Sequence, residues 1–575
     1  MPARWIPRGG DAPSPRVLAM AEEGGVPPLI AEILAARGLA TAEAMQRFLN
    51  PGLAHLTPPS DIPGLDEAAA ALAKGLDQGR TLAVWGDYDV DGVTATAVVK
   101  TFLKDRLGLD VRHHLPNRLE EGYGLGAEGI RRLAGEGVDL LLTVDCGITD
   151  VDEVRLAREL GMEVVVSDHH LPGDALPEAA VVCDPKLADC GNHDLAGVGV
   201  AFLLMTALNR LLPGEPVDWR PLLDLVALGT IADVVPLTGP NRILVKNGLL
   251  LIKEARRPGI AALKQAAGYD QLAALGAGQI AFGLAPRINA AGRMGDPGLA
   301  LDTLLAPSVD AALPLAKRLD AMNAERRAEE DRILEAALEQ AEALVDGEDP
   351  RLALVLHQED WHPGIIGIVA SRVVERHYRP TVLLTRDGDV LKGSGRSIEE
   401  FDLHAALGGC AHLLEGYGGH RQAAGLSLAP GNLEAFAEAF HQAAALGLGP
   451  TPLAPRLSYD RELPFAAIDN ALLRGLEELQ PFGMGNPEPV FVSPPVLVKD
   501  RRAFGKDGMH VNLTLTDEDS GRTFTGKAWR QAESLPADLR GETLRFAFTP
   551  RIDTWTGMPT IELRIKDWND PAVLD

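Results

Sequence analysis

The stretch "AVWGDYDVDGVTATAVV" (residues 83–99) runs from an apolar strand, through three aspartates in five positions, into an apolar helix. Asp87, Asp89 and Asp91 stand on alternate residues where a buried strand would end. Like charges that close repel one another, and a divalent cation is the usual agent that offsets the repulsion. A solvated Asp-rich turn is the alternative for this segment taken alone.

Outward from this stretch, apolar runs "TLAVW" (81–85), "DLLLTV" (139–144), "MEVVVS" (162–167) and "AVVC" (180–183) alternate with helical stretches such as "TATAVVKTFLKDRLG". The alternation predicts an α/β domain: a parallel sheet with helices on both faces. Strands of such a sheet share one crevice at their carboxyl ends. The second run ends in "LLTVDCGITD", with Asp145 at its tip, and the third in "VVVSDHHLPG", with Asp168, His169 and His170 at theirs. A fourth acid, Asp233 in "LGTIADVVPL", sits among apolar residues, where an unpaired charge is costly. The pool of roughly five carboxylates and one or two imidazoles suits two divalent ions sharing a carboxylate. Hard oxygen ligands with an imidazole favour Mn2+ or Mg2+ over zinc. Each aspartate taken singly would also serve as a helix cap.

Residues 308–345 form one long helical pattern, apolar at both ends, with the charged run "AERRAEEDR" between; it reads as a strut with a solvated middle, or as a surface helix. A second α/β unit follows: strand "RLALVLH" (351–357), helix "GIIGIVASRVVERHY" (364–378), strand "PTVLLT" (380–385) and a Gly-rich turn, "GYGGHRQAAGLSL" (416–428). "LGPTPLAP", near Pro450, reads as a linker. Beyond it "HVNLTLTD" (510–517), "GRTFTGKAW" (521–529), "ETLRFAFTPRI" (542–552) and "MPTIELRIKDW" (558–568) alternate with the period of strands and predict an OB-fold-like β-barrel. The expected division is an N-terminal appendage (1–60), a catalytic domain (61–306), a connecting helix (307–347), a second α/β domain (348–450) and the barrel domain (455–575).

At 575 residues the chain is too long for one core. No apolar run approaches the ~18 residues that span a bilayer, so no membrane partner is expected. "MPARWIPRGGDAPSPR" has no apolar core of a secretory signal, and Cys146, Cys183, Cys190 and Cys410 show no CxxC pairing; both point to a cytoplasmic protein with reduced thiols. The net charge of -26 excludes a generic nucleic-acid coat protein but leaves room for an enzyme with a local basic channel.

"GDYDVDG", "TVDCGITD", "SDHH" and "TIADVVPL", in that order, resemble the four motifs of the DHH phosphoesterase superfamily. From about residue 50 to the C-terminus the chain is similar to the bacterial branch of that superfamily that degrades single-stranded DNA 5′→3′. The further matching stretches are "LPNRLEEGYGL" (115–125), "INAAGRMGDP" (288–297), "WHPGIIGIVASR" (361–372), "GSGRSI" (393–398), "GYGGHRQAAG" (416–425) and "LQPFGMGNPEPVF" (479–491). The resemblance implies that Asp89 and Asp91 are metal ligands, Asp145 the bridging ligand, and His169 and Asp233 ligands of the second ion. Asp168 and His170 would orient ligands or meet the scissile phosphate. One position departs: many members have a histidine four residues before the second aspartate of the first motif, where this chain has Trp85. The first ion is then expected to bind more weakly, or to be completed by Asp87 or a water.

Arg118, Arg293 and Arg396 lie beside Gly- or Pro-rich turns and are candidates for phosphate contacts, with a structural salt bridge the equal alternative for each. Ser394 and Ser397, with exposed backbone N–H groups of "GSGRS", suggest a nest for a 5′-phosphate. "GYGGH", with His420, resembles the nucleic-acid-contacting turn of the DHH-associated domain. Arg372, Arg376 and Arg379 would line the strand's path or form a solvated helix face. Tyr123, Phe504 and Trp529 are candidates for base stacking, a core role being favoured for Trp529. "KDRRAFGK" (499–506) would supply Lys499, Arg501, Arg502 and Lys506 to an outer basic track, unless it is a plain solvated hairpin.

The resemblance thus implies a processive, two-metal exonuclease that degrades single-stranded DNA to 5′-mononucleotides in recombination, base-excision and mismatch repair. It would act as a monomer beside a single-stranded-DNA-binding protein and a RecQ-like helicase. A narrow hole between the α/β domains would exclude duplex. The rivals are a small-substrate phosphodiesterase or pyrophosphatase, which needs no barrel, and a binding protein that has lost catalysis, which would have lost ligands.

Overall fold

The computed structural model describes residues 3–9, 15–118, 120–269, 275–346, 350–553 and 559–571. They fall into two compact units: Thr57–Val235 with Asn247–Leu453, and Met1–Leu56 with Pro236–Lys246 and Ala454–Asp575.

The first of these units holds two sheets. One consists of β1 (Leu82–Trp85), β2 (Arg112–His114), β3 (Leu140–Val144), β4 (Glu163–Ser167) and β5 (Val181–Cys183), in the spatial order β2-β1-β3-β4-β5, with every pairing parallel. β1 and β3 are buried along their whole length, as strands with helices on both faces must be. The four runs expected from sequence are all present. β2 was not legible, being three polar residues at the sheet's edge. The chain leaves β1 toward β2 and later returns to β1's other side as β3, so the order reverses between β1 and β3. In an open parallel sheet that switch point opens the crevice at the strands' carboxyl ends. "GDYDVDG" follows β1, and Asp145 follows β3.

The second sheet runs in the order β9-β10-β8-β7-β6, from β6 (Leu354–His357), β7 (Thr381–Asp387), β8 (Val390–Arg396), β9 (Gly416–His420) and β10 (Ala423–Leu428). The stretch expected as a Gly-rich turn is in fact the hairpin β9–β10, because Tyr417, Ala424, Leu426 and Leu428 alternate across it and three of them reach the core.

One 37-residue helix, Val309–Val345, joins the two sheets' segments of chain. At 1.5 Å per residue it extends for roughly 55 Å. Its middle is not simply solvated: Asn323, Arg326 and Glu330 are buried, and Arg326 Nη1 meets Glu330 Oε2 at 2.7 Å. The charged run reads as solvated by composition, but two of its members face inward and neutralise each other. The helix limit expected at residue 347 lies outside the described residues.

In the other unit, β11 (Arg461–Glu462) and β12 (Phe491–Val492) lead into β13 (Val496–Phe504), β14 (His510–Thr516), β15 (Thr523–Ala528), β16 (Thr543–Asp553) and β17 (Thr560–Asn569). The last five pair as β13-β14-β15-β17-β16 and back to β13, with β15 and β17 parallel; this closed ring is the OB-fold barrel. Met558, in the run assigned to β17, is outside the described residues. The first 56 residues are built into this unit: Ile30, Leu34 and Met45 share one core with Leu473, Phe546 and Ile565. A strand at Arg4–Pro7 pairs in parallel with Arg456–Tyr459, and Trp5 Nε1 donates to Asp567 Oδ2 at 2.8 Å. The four cysteines are free. No helix among the described residues is long and apolar enough to cross a membrane.

Candidate metal centre

The turn after β1 is tight: a Cβ on Gly92 would lie 2.4 Å from the Asp87 amide nitrogen, so only glycine lets the helix Val90–Leu107 start there. Asp89 caps that helix, with Oδ1 accepting from the amides of Asp91 (2.8 Å) and Gly92 (3.1 Å). Asp91, in the helix's first turn, accepts from the Gly197 amide at 2.7 Å and the Val198 amide at 3.0 Å. Asp145 takes φ +64°, a region that residues with a Cβ avoid. Strain of this kind persists only where surrounding structure enforces it, and it concentrates at functional sites. His169 Nδ1 donates to the Leu195 carbonyl at 3.0 Å, which leaves a lone pair on Nε2. That Nε2 lies 3.0 Å from Asp145 Oδ1, 3.7 Å from Asp233 Oδ2 and 3.8 Å from Asp91 Oδ2.

Three overlapping sets have ligand atoms within 4.8 Å of one another: Asp87, Asp89 and Asp145; Asp91, His169 and Asp233; Asp145, His169 and His170. Asp145 belongs to two of them. Oδ1 of Asp87, Oδ1 of Asp145, Oδ2 of Asp233 and Nε2 of His169 are buried with no hydrogen-bond partner. Orphaned lone pairs aimed at each other are rare and costly, and a cation satisfies them together. Burial first, and neighbouring carboxylates next, push the carboxyls of Asp87, Asp91 and Asp145 well above their usual range. Burial also raises Asp233. The donor set, mainly carboxylate oxygens with imidazole, fits Mn2+ or Mg2+. Trp85 gives nothing to it: the ring is fully buried against Gly129 and His114, and Asp87 stands in the first set instead.

Asp168 organises the histidine pair. Its Oδ1 accepts from the His169 amide at 2.7 Å and from His170 Nδ1 at 2.8 Å, and its Oδ2 from the Ile148 amide at 3.0 Å. Burial alone would raise Asp168, but the His170 hydrogen bond and charge hold it below the usual carboxylate value. Burial alone would lower His170, and Asp168 raises it instead. Tyr123 places its hydroxyl 3.0 Å from the same Nδ1 and donates to the Asp145 carbonyl at 3.3 Å.

A cavity of about 230 Å³ opens over these groups, lined by Asp87, Asp89, Arg118, Tyr123, Asp145, His170, Asp233 and Arg293, with Tyr88 and Asn289 as well. Arg118 stacks over the Tyr88 ring at 5.3 Å. Arg293 Nη1 donates to the Gly364 carbonyl at 2.8 Å, and burial, then Arg118, push its guanidinium down to about 10. Among the described residues Arg293 pairs with no carboxylate. Tyr88 and Asn289 stand inside quoted motifs without having been singled out. Gly197 and Val198, whose amides hold Asp91, gave no signal beyond a glycine at a helix start.

Arg396 Nη1 donates to Ser394 Oγ at 3.1 Å, and both lie against Gly367, near the N-terminus of the helix Ile366–His377. The nest of exposed backbone N–H groups is not present. β8, which carries "GSGR", is a central strand with its backbone paired on both sides. Ser397 spends its hydroxyl on the Phe401 carbonyl at 2.9 Å. His420 ends the exposed edge strand β9. Arg379 does not line a path: it is buried and donates to the Arg351 carbonyl, while Arg372 pairs with Glu330 at 3.4 Å.

On the barrel, Trp529 is not a core residue. It is 42% exposed, since it lies just past the inward-facing Ala528 at the end of β15, and its ring edges onto Phe504 at 5.3 Å and His510 at 4.8 Å. Arg501 turns inward, donating to the Ala532 and Leu535 carbonyls at 3.2 and 3.1 Å, and Arg502 pairs with Asp500 at 2.7 Å.

Residues 81–230 match the model of the DHH family N-terminal domain, 349–446 that of the DHHA1 domain, and 459–567 that of the RecJ OB domain. The chain is 35% identical over 562 residues to the single-stranded-DNA-specific exonuclease RecJ of Escherichia coli, covering 94% of this chain and 96% of that protein. The crystal structure of RecJ from Thermus thermophilus in complex with Mn2+ matches with a TM-score of 0.84 at 34% identity, over 99% of this chain and 80% of that one. The same protein in complex with Mg2+ matches with a TM-score of 0.78 at 32% identity, over 99% and 79%.

Proposed function

The chain belongs to the RecJ family of single-stranded-DNA-specific exonucleases, and from that premise we propose that it hydrolyses single-stranded DNA processively from the 5′ end to 5′-mononucleotides. The observation that carries this reading is the acid cluster around Asp145, with its orphaned ligand atoms, opening into the same cavity as Arg118 and Arg293. Asp87, Asp89 and Asp145 would hold one divalent ion, and Asp91, His169 and Asp233 the other, with Asp145, whose Oδ1 is 3.0 Å from His169 Nε2, shared between them. When bound, such a pair of ions supplies a hydroxide at neutral pH and compensates charge on the phosphate. Arg118 and Arg293 take the non-bridging phosphate oxygens, since a buried guanidinium without a carboxylate is poised for an anion. Asp168 keeps a proton on His170 Nδ1 and aims the opposite edge of the ring at the scissile phosphate.

Ser394 and Arg396, at a helix N-terminus, form the pocket for a terminal 5′-phosphate. His420 contacts the strand from β9. The barrel adds contacts through Trp529 and Phe504 that keep a long strand bound between cuts. Work in the cytoplasm, in recombination and repair beside a single-stranded-DNA-binding protein and a helicase, follows from this reading.

The test is a time course on 5′- and 3′-labelled single strands, duplex and RNA, with Mn2+, Mg2+ or chelator. The expected result is early release of the 5′ label from single-stranded DNA alone, abolished by chelator. Release of the 3′ label first, or equal digestion of duplex, would overturn the reading.

A further inference from the structure

Trp85 occupies a position beside the metal centre yet contributes no ligand, and its one polar atom has a specific use. Nε1 donates to the carbonyl of Gly124 at 3.2 Å. The next amide, that of Leu125, donates to Asp150 Oδ2 at 2.8 Å. The peptide between Gly124 and Leu125 is therefore gripped at both its polar groups. Gly124 has φ +86°, and a Cβ there would lie 2.6 Å from Asp150 Oδ2, so the loop sits directly on the carboxylate and only glycine fits. Gly122, at φ +85°, makes the matching turn on the other side. Tyr123 is the residue between the two glycines.

The grip is itself braced. The Trp85 ring packs on Gly129 and lies 4.1 Å from the His114 ring. Arg132 donates to His114 Nδ1 at 2.8 Å, so the ring's other nitrogen, Nε2, carries the proton and donates to Glu121 Oε2 at 2.8 Å. Glu121 Oε1 in turn accepts from the Asn117 amide at 2.8 Å, closing the loop that carries Arg118.

What the loop delivers is the Tyr123 hydroxyl. His170 Nδ1 is 2.8 Å from Asp168 Oδ1 and 3.0 Å from the Tyr123 oxygen. Asp168 Oδ1 also accepts from the His169 amide at 2.7 Å and stands as an acceptor, so Nδ1–H donates to both oxygens, and the tyrosine's own proton goes to the Asp145 carbonyl. Tyr123 is thus the second of two acceptors at Nδ1 and fixes the plane of the His170 ring.

We propose that Trp85 and Asp150 are positioning residues: together they clamp the Gly124–Leu125 peptide, and so set Tyr123 against His170 and the Asp145 carbonyl. This rests on the role given to His170 above. The residue that departs from the superfamily pattern thereby gains a function, trading a nitrogen near the metal for a hydrogen bond that holds a substrate-facing loop.

The experiment compares Trp85→Phe, which keeps the ring and removes the donor, with Asp150→Ala and Asp150→Asn, each alone and in a Tyr123→Phe background. Asparagine retains an acceptor oxygen for the Leu125 amide. The expected result is a kcat on single-stranded DNA about tenfold lower for Asp150→Ala and Trp85→Phe, with Mn2+ binding by calorimetry and the melting temperature close to wild type. Asp150→Asn restores most of the rate. In the Tyr123→Phe background the same changes cost less than about threefold. A penalty that multiplies in full without the hydroxyl overturns the clamp, as does an Asp150→Ala rate equal to wild type. The ¹⁵N spectrum of the His170 imidazole gives a reading independent of cleavage: Asp168 keeps the proton on Nδ1 in both proteins, and the Nδ1 signal shifts in Asp150→Ala because its second acceptor, the Tyr123 oxygen, is displaced. If the wild type cleaved no DNA, the proposed function would fall while the spectrum still decided the clamp. An unchanged spectrum in Asp150→Ala refutes it.

Discussion

Adding one methyl group at position 197 should perturb the candidate metal centre without removing any of its proposed ligands. Gly197 begins the helix Gly197–Leu211 and is not among the residues of positive φ, so alanine there gains helix propensity, at most about 1 kcal/mol. The methyl has no room. Its carbon would lie 2.5 Å from Asp145 Oδ1, 2.7 Å from Asp145 Cβ and 2.8 Å from Asp145 Cγ. Ordinary contacts between such atoms are about 3.5 Å, so one side must retreat by roughly 0.7–1 Å. Asp145 is buried and already held at φ +64°, and cannot swing freely. If the helix start retreats instead, it takes with it the Gly197 amide that holds Asp91 Oδ2 at 2.7 Å. Either route displaces a proposed ligand of the second ion. Overpacking costs about 1–3 kcal/mol, of which the propensity gain offsets a part, so the melting temperature should fall by a few degrees. A displacement of about 1 Å at reacting groups costs on the order of 100-fold in rate. The assay is the initial rate on 5′-labelled single-stranded DNA at saturating Mn2+, with the metal affinity and the melt measured on the same sample. Gly199→Ala is the control, because its methyl would meet nothing nearer than Leu195 Cδ2 at 3.1 Å, a flexible side-chain end. A Gly197→Ala protein that cleaves within threefold of wild type would falsify the placement of Asp145 as the shared acid. So would a Gly199→Ala protein that loses as much.

Asp145→Ala should leave less than about a tenth of the cleavage rate, since a two-ion scheme needs both ions placed. The metal-free variant should melt higher than the metal-free wild type, because a buried carboxyl crowded by others is gone; a lower melting temperature would speak against that crowding. Substrates with a 5′-phosphate should be degraded faster than 5′-hydroxyl ones, and Arg396→Ala should erase most of the difference; equal rates in the wild type would remove the pocket. Trp529→Ala should weaken binding of a 30-nucleotide strand by roughly tenfold, the size of one lost base–aromatic stack, and leave digestion of very short oligonucleotides unchanged. A uniform loss at all lengths would place its effect on the fold. Deleting residues 451–575, by contrast, should yield an aggregating or low-melting chain rather than a clean catalytic core, as light scattering would show, because Ile30, Leu34 and Met45 lose the partners that bury them.

Much of the acid and imidazole cluster was legible in the sequence because its logic is local. A buried parallel strand must end, its tip must face the crevice, and an acid or imidazole placed at that tip has nowhere else to point; Asp87, Asp145 and Asp168 follow that rule. The closed barrel was legible for a similar reason, since strand periodicity and turn spacing are short-range. The ordered motifs, by resemblance, added polarity and substrate, which no periodicity carries. What the sequence left open is how each polar group spends its hydrogen bonds, because the partner is remote in the chain. "GSGRS" looks like a loop with free amides, yet β10 and β7 claim them from both sides. Arg379 and Arg501 look like surface charge, yet backbone carbonyls about 30 residues away turn them inward, while Trp529, apolar enough for a core, ends outside it. Asp91 is one acid among several until the amides of Gly197 and Val198, 106 and 107 residues on, aim it at His169. Trp85 reads as a missing ligand until Gly124 is folded over it. Residue type and spacing determined which chemistry this chain carries; long-range burial, which forces each polar group to find a partner, decided which atoms remain free to perform it.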